Sequence, residues 1–274
     1  VRARIAAHES ATLAGSPRRP SRMTSVPGMD VSSVLALRTG RIAGWKYTHQ
    51  VRELGWLEVP SGRLEASDPF VNLGMGLQVV IPAGSYPAFV TVADVSDAQD
   101  GSDLRESYLS VVVSDGVPDR VEFLAPDGSE PITDPDAFYG VNVDAGTVAF
   151  ADAEAVARCM PPGNWYEDIF DNGGEDSWFA LMDSPTHVAE GCANIVLPGA
   201  TAGENVVLSH SGWGDGSYPV LGVYDSAGHL LSVHIDLFVE EPEQDQPPPF
   251  SEPVVATEPP AGRGFWRRLL GPRT

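Results

Sequence analysis

The tetrapeptide Gly-Ser-Tyr-Pro occurs twice in this chain, at residues 84–87 and again at 216–219. Each copy stands between two strand-like apolar runs. Residues 77–81 precede the first copy and 88–93 follow it; residues 205–208 precede the second and 220–224 follow it. Glycine permits backbone angles closed to other residues, and proline suits a sheet edge or a strand's first position. Tyrosine can anchor a corner by its ring and its hydroxyl. The shared order predicts one strand unit used twice, a pair rather than an array.

The rest of the chain favours the same class. Glycine (28) and proline (24) are frequent among the 274 residues, which favours turns and short strands over long helices. Alternation or short apolar runs mark strands at 56–59, 63–66, 77–81, 86–93, 108–113, 141–143, 205–208, 220–224 and 230–238. In the last, Leu231, Val233, Ile235 and Leu237 are expected inward, with Ser232, His234 and Asp236 outward. Short helices are expected at 31–38 and at 152–159, the second capped by Asp152 and stopped by Pro161-Pro162-Gly163. Residues 45–56 read as a helical turn, and the Gly-rich aromatic stretch 163–184 as an irregular insertion. The fold class expected is mainly β: a sandwich or open barrel from two related strand units, with a few short helices and disordered termini.

Four regions follow. Residues 1–29 are Arg-, Ser- and Pro-rich and read as a disordered or mis-annotated extension; the chain begins at Val1, which suggests a GTG start or a true start at Met23 or Met29. Residues 30–239 form a single mainly β domain. Residues 240–262 are an acidic Pro-rich linker. Residues 263–274 are a short basic amphipathic tail, in which Phe265, Trp266, Arg267, Arg268, Leu269 and Leu270 suit weak contact with a membrane or a partner groove.

Charge narrows the function. The net charge is −21, and between Glu122 and Asp236 nineteen acids stand against one base, Arg158. Such a surface repels phosphate backbones, so no nucleic-acid partner is expected; it suits cations or a basic protein. Lys46 is the single lysine beside sixteen arginines, a bias of GC-rich bacterial codon usage. Cys159 and Cys192 are too few for a disulfide framework and read as reduced thiols of a cytoplasmic protein. No apolar run reaches the roughly 20 residues of a transmembrane segment.

Several segments in order resemble a bacterial family of uncharacterised proteins, domain of unknown function 4241. They are Pro60-Ser61-Gly62-Arg63-Leu64 with Asp68-Pro69; Ile81-Pro82-Ala83-Gly84-Ser85-Tyr86-Pro87; Tyr139-Gly140-Val141 with Val143-Asp144-Ala145-Gly146 and Phe150-Ala151-Asp152-Ala153-Glu154; and Ser211-Gly212-Trp213-Gly214-Asp215-Gly216-Ser217-Tyr218-Pro219. The resemblance covers about residues 57–239. Asn142 is an insertion relative to the family's usual Gly-Val-Asp-Ala-Gly. No activity comes with the resemblance; it implies the domain limits and the importance of these loops.

The candidate ligand-binding residues are Ser211, Gly212, Trp213, Gly214, Asp215, Gly216 and Tyr218, with Asp144, Gly146 and Asp68. Glycines let backbone approach a ligand, Trp213 offers a stacking face, and carboxylates at strand ends are how β proteins build polar or cation sites. Asp144, Asp152 and Asp215 are the candidate metal ligands, should a divalent cation bind; no cofactor is otherwise expected. Ser211, His210 and Asp215 make a poor hydrolase triad, because chain neighbours seldom point at one another and no nucleophile elbow is present. Two functions are consistent with these residues. The first is a non-catalytic binding or interaction protein, of immunity type against a basic toxin. The second is a divalent-cation-dependent hydrolase or other enzyme using the clustered aspartates.

Overall fold

The computed structural model describes residues 30–126, 128–130 and 137–243. The expected N-terminal extension, the basic tail and the linker beyond Glu243 lie outside the described residues. Within them are thirteen strands and two α-helices. The strands are β1 (Gly40–Arg41), β2 (Thr48–Val59), β3 (Arg63–Ser67), β4 (Leu77–Val80), β5 (Gly84–Asp94), β6 (Leu104–Val112), β7 (Arg120–Phe123), β8 (Gly140–Val143), β9 (Thr147–Asp152), β10 (Cys192–Val196), β11 (Asn205–His210), β12 (Gly216–Tyr224) and β13 (Leu230–Asp236). The helices are α1 (Ala153–Cys159) and α2 (Trp178–Asp183).

The strands form two antiparallel sheets packed face to face. The larger has the order β1-β2-β5-β6-β13-β12-β7, with β8 also paired to β12; the smaller has the order β10-β11-β9-β3-β4. Their inner faces share one core, in which Leu57, Val90, Leu109, Val220 and Ile235 meet Leu64, Val148, Phe150 and Val207. Alternation puts Ala149, Ala151, Val206 and Leu208 on the other face of the smaller sheet. That face is covered by α1, α2 and the aromatic stretch before α2, with Phe170 and Trp178 buried. The outer face of the larger sheet is covered by Val34 and Leu35, which pack on Tyr108, Val121, Leu221 and Val223.

The duplication expected from the repeated tetrapeptide extends to the strand registers. In the first unit Tyr86 lies opposite Leu57 and Gly84 opposite Val59. In the second Tyr218 lies opposite Val141 and Gly216 opposite Val143. Arg63 and Leu64 of β3 face Val80 and Val79 of β4, as Thr147 and Val148 of β9 face His210 and Ser209 of β11. Strands β2, β3, β4, β5 and β6 thus correspond to β8, β9, β11, β12 and β13. Each half gives one strand to the centre of each sheet, where β3 pairs β9 and β6 pairs β13. Both units also fold their tetrapeptide alike. The Tyr86 hydroxyl donates to the carbonyl of Pro82, and the Tyr218 hydroxyl donates to that of Gly214 at 2.7 Å, four residues upstream each time.

Three local expectations are corrected. The helical turn expected at 45–56 is not formed: from Thr48 this stretch belongs to β2, which hydrogen-bonds along the whole of β5, and the strand expected at 56–59 is its last part. The helix expected at 31–38 is only a 3-10 turn at Val31–Ser33, capped by Asp30. Leu37, in the left-handed region at φ 62°, prevents its continuation. His234 is buried rather than outward-facing, because that face of β13 lies beneath the 31–36 segment. Its Nδ1 is 2.8 Å from Ser110 Oγ and its Nε2 2.7 Å from Ser232 Oγ. Burial drives its pKa down to about 3, so the ring is neutral. The stretch 163–184 is more regular than expected: it holds a π-helical turn at Tyr166–Phe170 and then α2.

The equivalence of the two corners is testable. Tyr86→Phe and Tyr218→Phe each delete one hydroxyl-to-carbonyl bond and leave the ring in place. Urea unfolding should show each variant less stable by about 1 kcal/mol, with the two losses equal within error.

Candidate functional site

Two aspartates from the candidate set occupy corresponding places in the two halves. Asp68 follows the last residue of β3, and Asp152 ends β9; both are fully buried. Each reaches across to the turn that precedes the other's strand. Asp152 Oδ2 accepts from Ser61 N and Ser61 Oγ, both at 2.7 Å. Asp68 Oδ2 accepts from Ala145 N at 2.8 Å and Asp144 N at 2.9 Å. The second oxygen of each serves its own strand's exit, with Asp152 Oδ1 capping α1 at Ala155 N and Asp68 Oδ1 taking Phe70 N; Asp68 Oδ1 also accepts from Thr147 Oγ1 at the start of β9. Both carboxylates are therefore saturated by fixed donors, the arrangement in which a buried charge is tolerated.

The 211–215 loop is the point where the halves differ. Strand β4 reaches β5 through Ile81, Pro82 and Ala83; β11 reaches β12 through Ser211–Asp215, two residues more. The bond that closes each turn is kept, with Ile81 N donating to Gly62 O at 2.9 Å and Ser211 N to Gly146 O at 3.0 Å. The extra length is held by its own polar groups. Ser211 is buried and its Oγ donates to Gly214 O at 2.7 Å, the carbonyl that also receives Tyr218. Asp215 Oδ1 accepts from Gly146 N at 3.1 Å, so the Asp144 and Asp215 loops converge. Gly212 has φ 66°, and a side chain there would meet Val239 Cγ2 at 2.6 Å and Glu106 O at 2.7 Å. Only glycine fits. Gly216 has no such constraint beyond contact with the Tyr218 ring.

What this leaves exposed is Trp213, with 54% of its surface accessible. The Arg105 guanidinium sits over its ring at 5.3 Å from the centroid. Asp215, two residues on, is exposed, as is Asp144 in the turn that Asp215 holds. Ser211 Oγ is committed to Gly214 O and bonds neither His210 nor Asp215, so that triad is not assembled. Nor do the three candidate metal ligands meet. Asp152 lies at the far end of β9 from the Asp144 turn, about 16 Å or more along the strand, well beyond shared ligation of one ion. Among the described residues no group of three His, Cys, Asp or Glu side chains is placed to hold a metal.

One group at this end escaped sequence reasoning. Glu106 of β6 is buried, although its neighbours Asp103 and Gly101 are exposed. A side chain built on Gly191 would lie 3.0 Å from Glu106 Oε1 and 2.8 Å from His210 Nδ1, so the three converge on one crevice. Burial pushes the Glu106 carboxyl above its ordinary value, and the charges of His210, Arg52 and Arg105 oppose that rise. The neighbouring Cys192 thiol is pushed up to about 12 by burial and by Glu106, which makes it an inert core thiol and not a nucleophile. The only sequence signal was a glutamate in an acidic stretch, because the bulge beside it, where Ser107 of β6 is left without a partner between Thr91 and Val92 of β5, is not encoded by alternation.

A two-sheet antiparallel sandwich, built from two corresponding halves that carry buried aspartates at matching strand exits and a glycine-rich tryptophan loop, is the class defined by this fold and site. Residues 57–235 match the family described as Protein of unknown function (DUF4241), and the chain belongs to that family. No protein of curated function and no solved structure matches it.

Two outcomes follow. Asp68→Ala and Asp152→Ala each remove a buried acceptor from three or more donors and should cost about 3 kcal/mol or more in urea unfolding, whereas Trp213→Ala should change stability by less than about 1 kcal/mol. Glu106 binds its proton more tightly folded than unfolded, so its contribution is full at low pH and is lost as pH rises above the ordinary glutamate value. Glu106→Gln should therefore flatten the fall in stability measured between pH 4 and 7.

Proposed function

We propose that this chain is a non-catalytic binding protein of the bacterial cytoplasm that engages a basic protein through the Trp213 loop, in the manner of an immunity protein. The exposed Trp213 carries the reading. An aromatic ring of this size, held out from a loop fixed by its hydrogen bonds, is the side chain most enriched in binding hot spots. Its setting supports the same reading. Asp215 lies two residues on and holds the turn that carries Asp144, and the half of the chain that supplies the loop has a large excess of acid. Complementary charge of that kind speeds encounter and selects a partner rich in Lys and Arg. The fixed groups of the loop are spent on its own backbone, which suits presentation of a surface better than chemistry.

The test is retention of partners from a host lysate on the immobilised full chain, with polyarginine as a control for charge alone. In low salt a discrete basic protein should be retained, should elute as salt rises, and should bind Trp213→Ala at least about tenfold more weakly. Retention of no protein, or retention unaffected by Trp213→Ala, contradicts the reading.

A further inference from the structure

The face of the smaller sheet remote from the larger one carries a second surface feature, an open apolar groove of about 420 Å³ between the 69–75 loop, α1 and the stretch before α2. Phe70, Val71, Met75, Val156, Trp165 and Phe170 line it. Its walls are built, not improvised. Phe70 stacks on Phe179 at 4.3 Å and meets Phe170 edge-on at 5.1 Å. The loop wall is pinned from below by the fully buried Glu65, whose Oε1 accepts from Gly74 N at 2.7 Å. The rim is apolar and uncovered, with Met75 77% and Val71 51% exposed. A volume of this size is at the small end of ligand pockets and takes one or two aromatic side chains. Methionine at the rim gives such a surface an adaptable edge.

Charge and chain connectivity single out an occupant. The stretch that supplies Trp165 and Phe170 also carries Glu167, Asp168, Asp171, Glu175 and Asp176, and no base. Residues 265–270 of the same chain pair apolar side chains, Phe265, Trp266, Leu269 and Leu270, with Arg267 and Arg268. The last described residues before them are tied down. Glu240 Oε2 bonds the buried His49 at 2.7 Å, Glu241 bonds Lys46 at 2.7 Å, and Glu243 bonds Arg41 at 3.1 Å. From Glu243 to Phe265 the chain can span about 70 Å taut, against a width of about 45 Å for a globule of this size. A segment tethered at that length is present at high effective concentration, so even a weak contact is populated.

We propose that residues 265–270 dock in this groove within the same molecule, the aromatic pair filling the space beside Phe70 and Met75 and the two arginines facing the exposed acids of the stretch before α2. Limited trypsin digestion of the full chain, read by mass spectrometry at Arg267 and Arg268, tests it. Met75→Lys alters an exposed rim residue and leaves the cleaved segment unchanged. Docking predicts that the variant is cut there at least about fivefold faster than the natural chain, at any protein concentration, and that high salt narrows the gap. Phe265→Ala should raise cleavage similarly, with no further increase when combined with Met75→Lys. Equal cleavage of natural chain and variant overturns the proposal. So does protection that grows with protein concentration, which would mean a second copy, or protection seen only with anionic vesicles, which would mean a membrane surface.

Discussion

The reciprocal bonds of Asp68 to Ala145 N and of Asp152 to Ser61 N tie the two halves of this protein together. Each carboxylate leaves its own strand in the smaller sheet and fixes the turn through which the other half passes from the larger sheet to the smaller. Because β3 and β9 pair directly, one register error would break both bonds at once. The two aspartates therefore specify register as well as contributing stability, a role buried polar groups fill when every lone pair is satisfied. The corner tyrosines act at the next turn, holding the entry to β5 and to β12 in the same way.

The candidate functional surface arises from a difference between the halves. Where the first half closes its turn with Ile81 at the buried position, the second uses Ser211 and adds two residues. The buried serine, Asp215 and Tyr218 hold that longer loop shut, and Trp213 is left outside. Glu106 and His210 then lie in the crevice beneath it, close enough that Gly191 cannot carry a side chain. A duplicated scaffold with one copy extended gives a surface that the other copy lacks.

Much of this architecture was legible from residues alone. The tetrapeptide pair located β5 and β12, clean alternation located β13, and Asp152 before Ala-Glu-Ala-Val located α1. The helix capping that made Asp152 legible as a structural residue hid its other role, since a bond to Ser61 across the sheet has no sequence signature. Hydrogen bonds link Asp68 to the Asp144 turn and Asp215 to Gly146, and in them Asp68 is a bracing acceptor rather than a free ligand. Only the last four residues of β2 read as strand, because buried and exposed positions do not alternate through the bulge at Glu53/Gly55 before them. His234 was placed on the wrong side of solvent because the covering segment, 31–36, lies far away in the chain.

Hydrogen exchange at Ser61 and Ala145 tests the bracing account most directly. Both amides sit in turns between strands, where exchange is ordinarily fast, and both donate to a buried carboxylate here. The account predicts that both exchange as slowly as the central strands β3 and β9, and that Asp152→Asn speeds Ser61 selectively while Ala145 stays protected. Rapid exchange of both amides in the natural chain, at the rate of exposed turns, would contradict it.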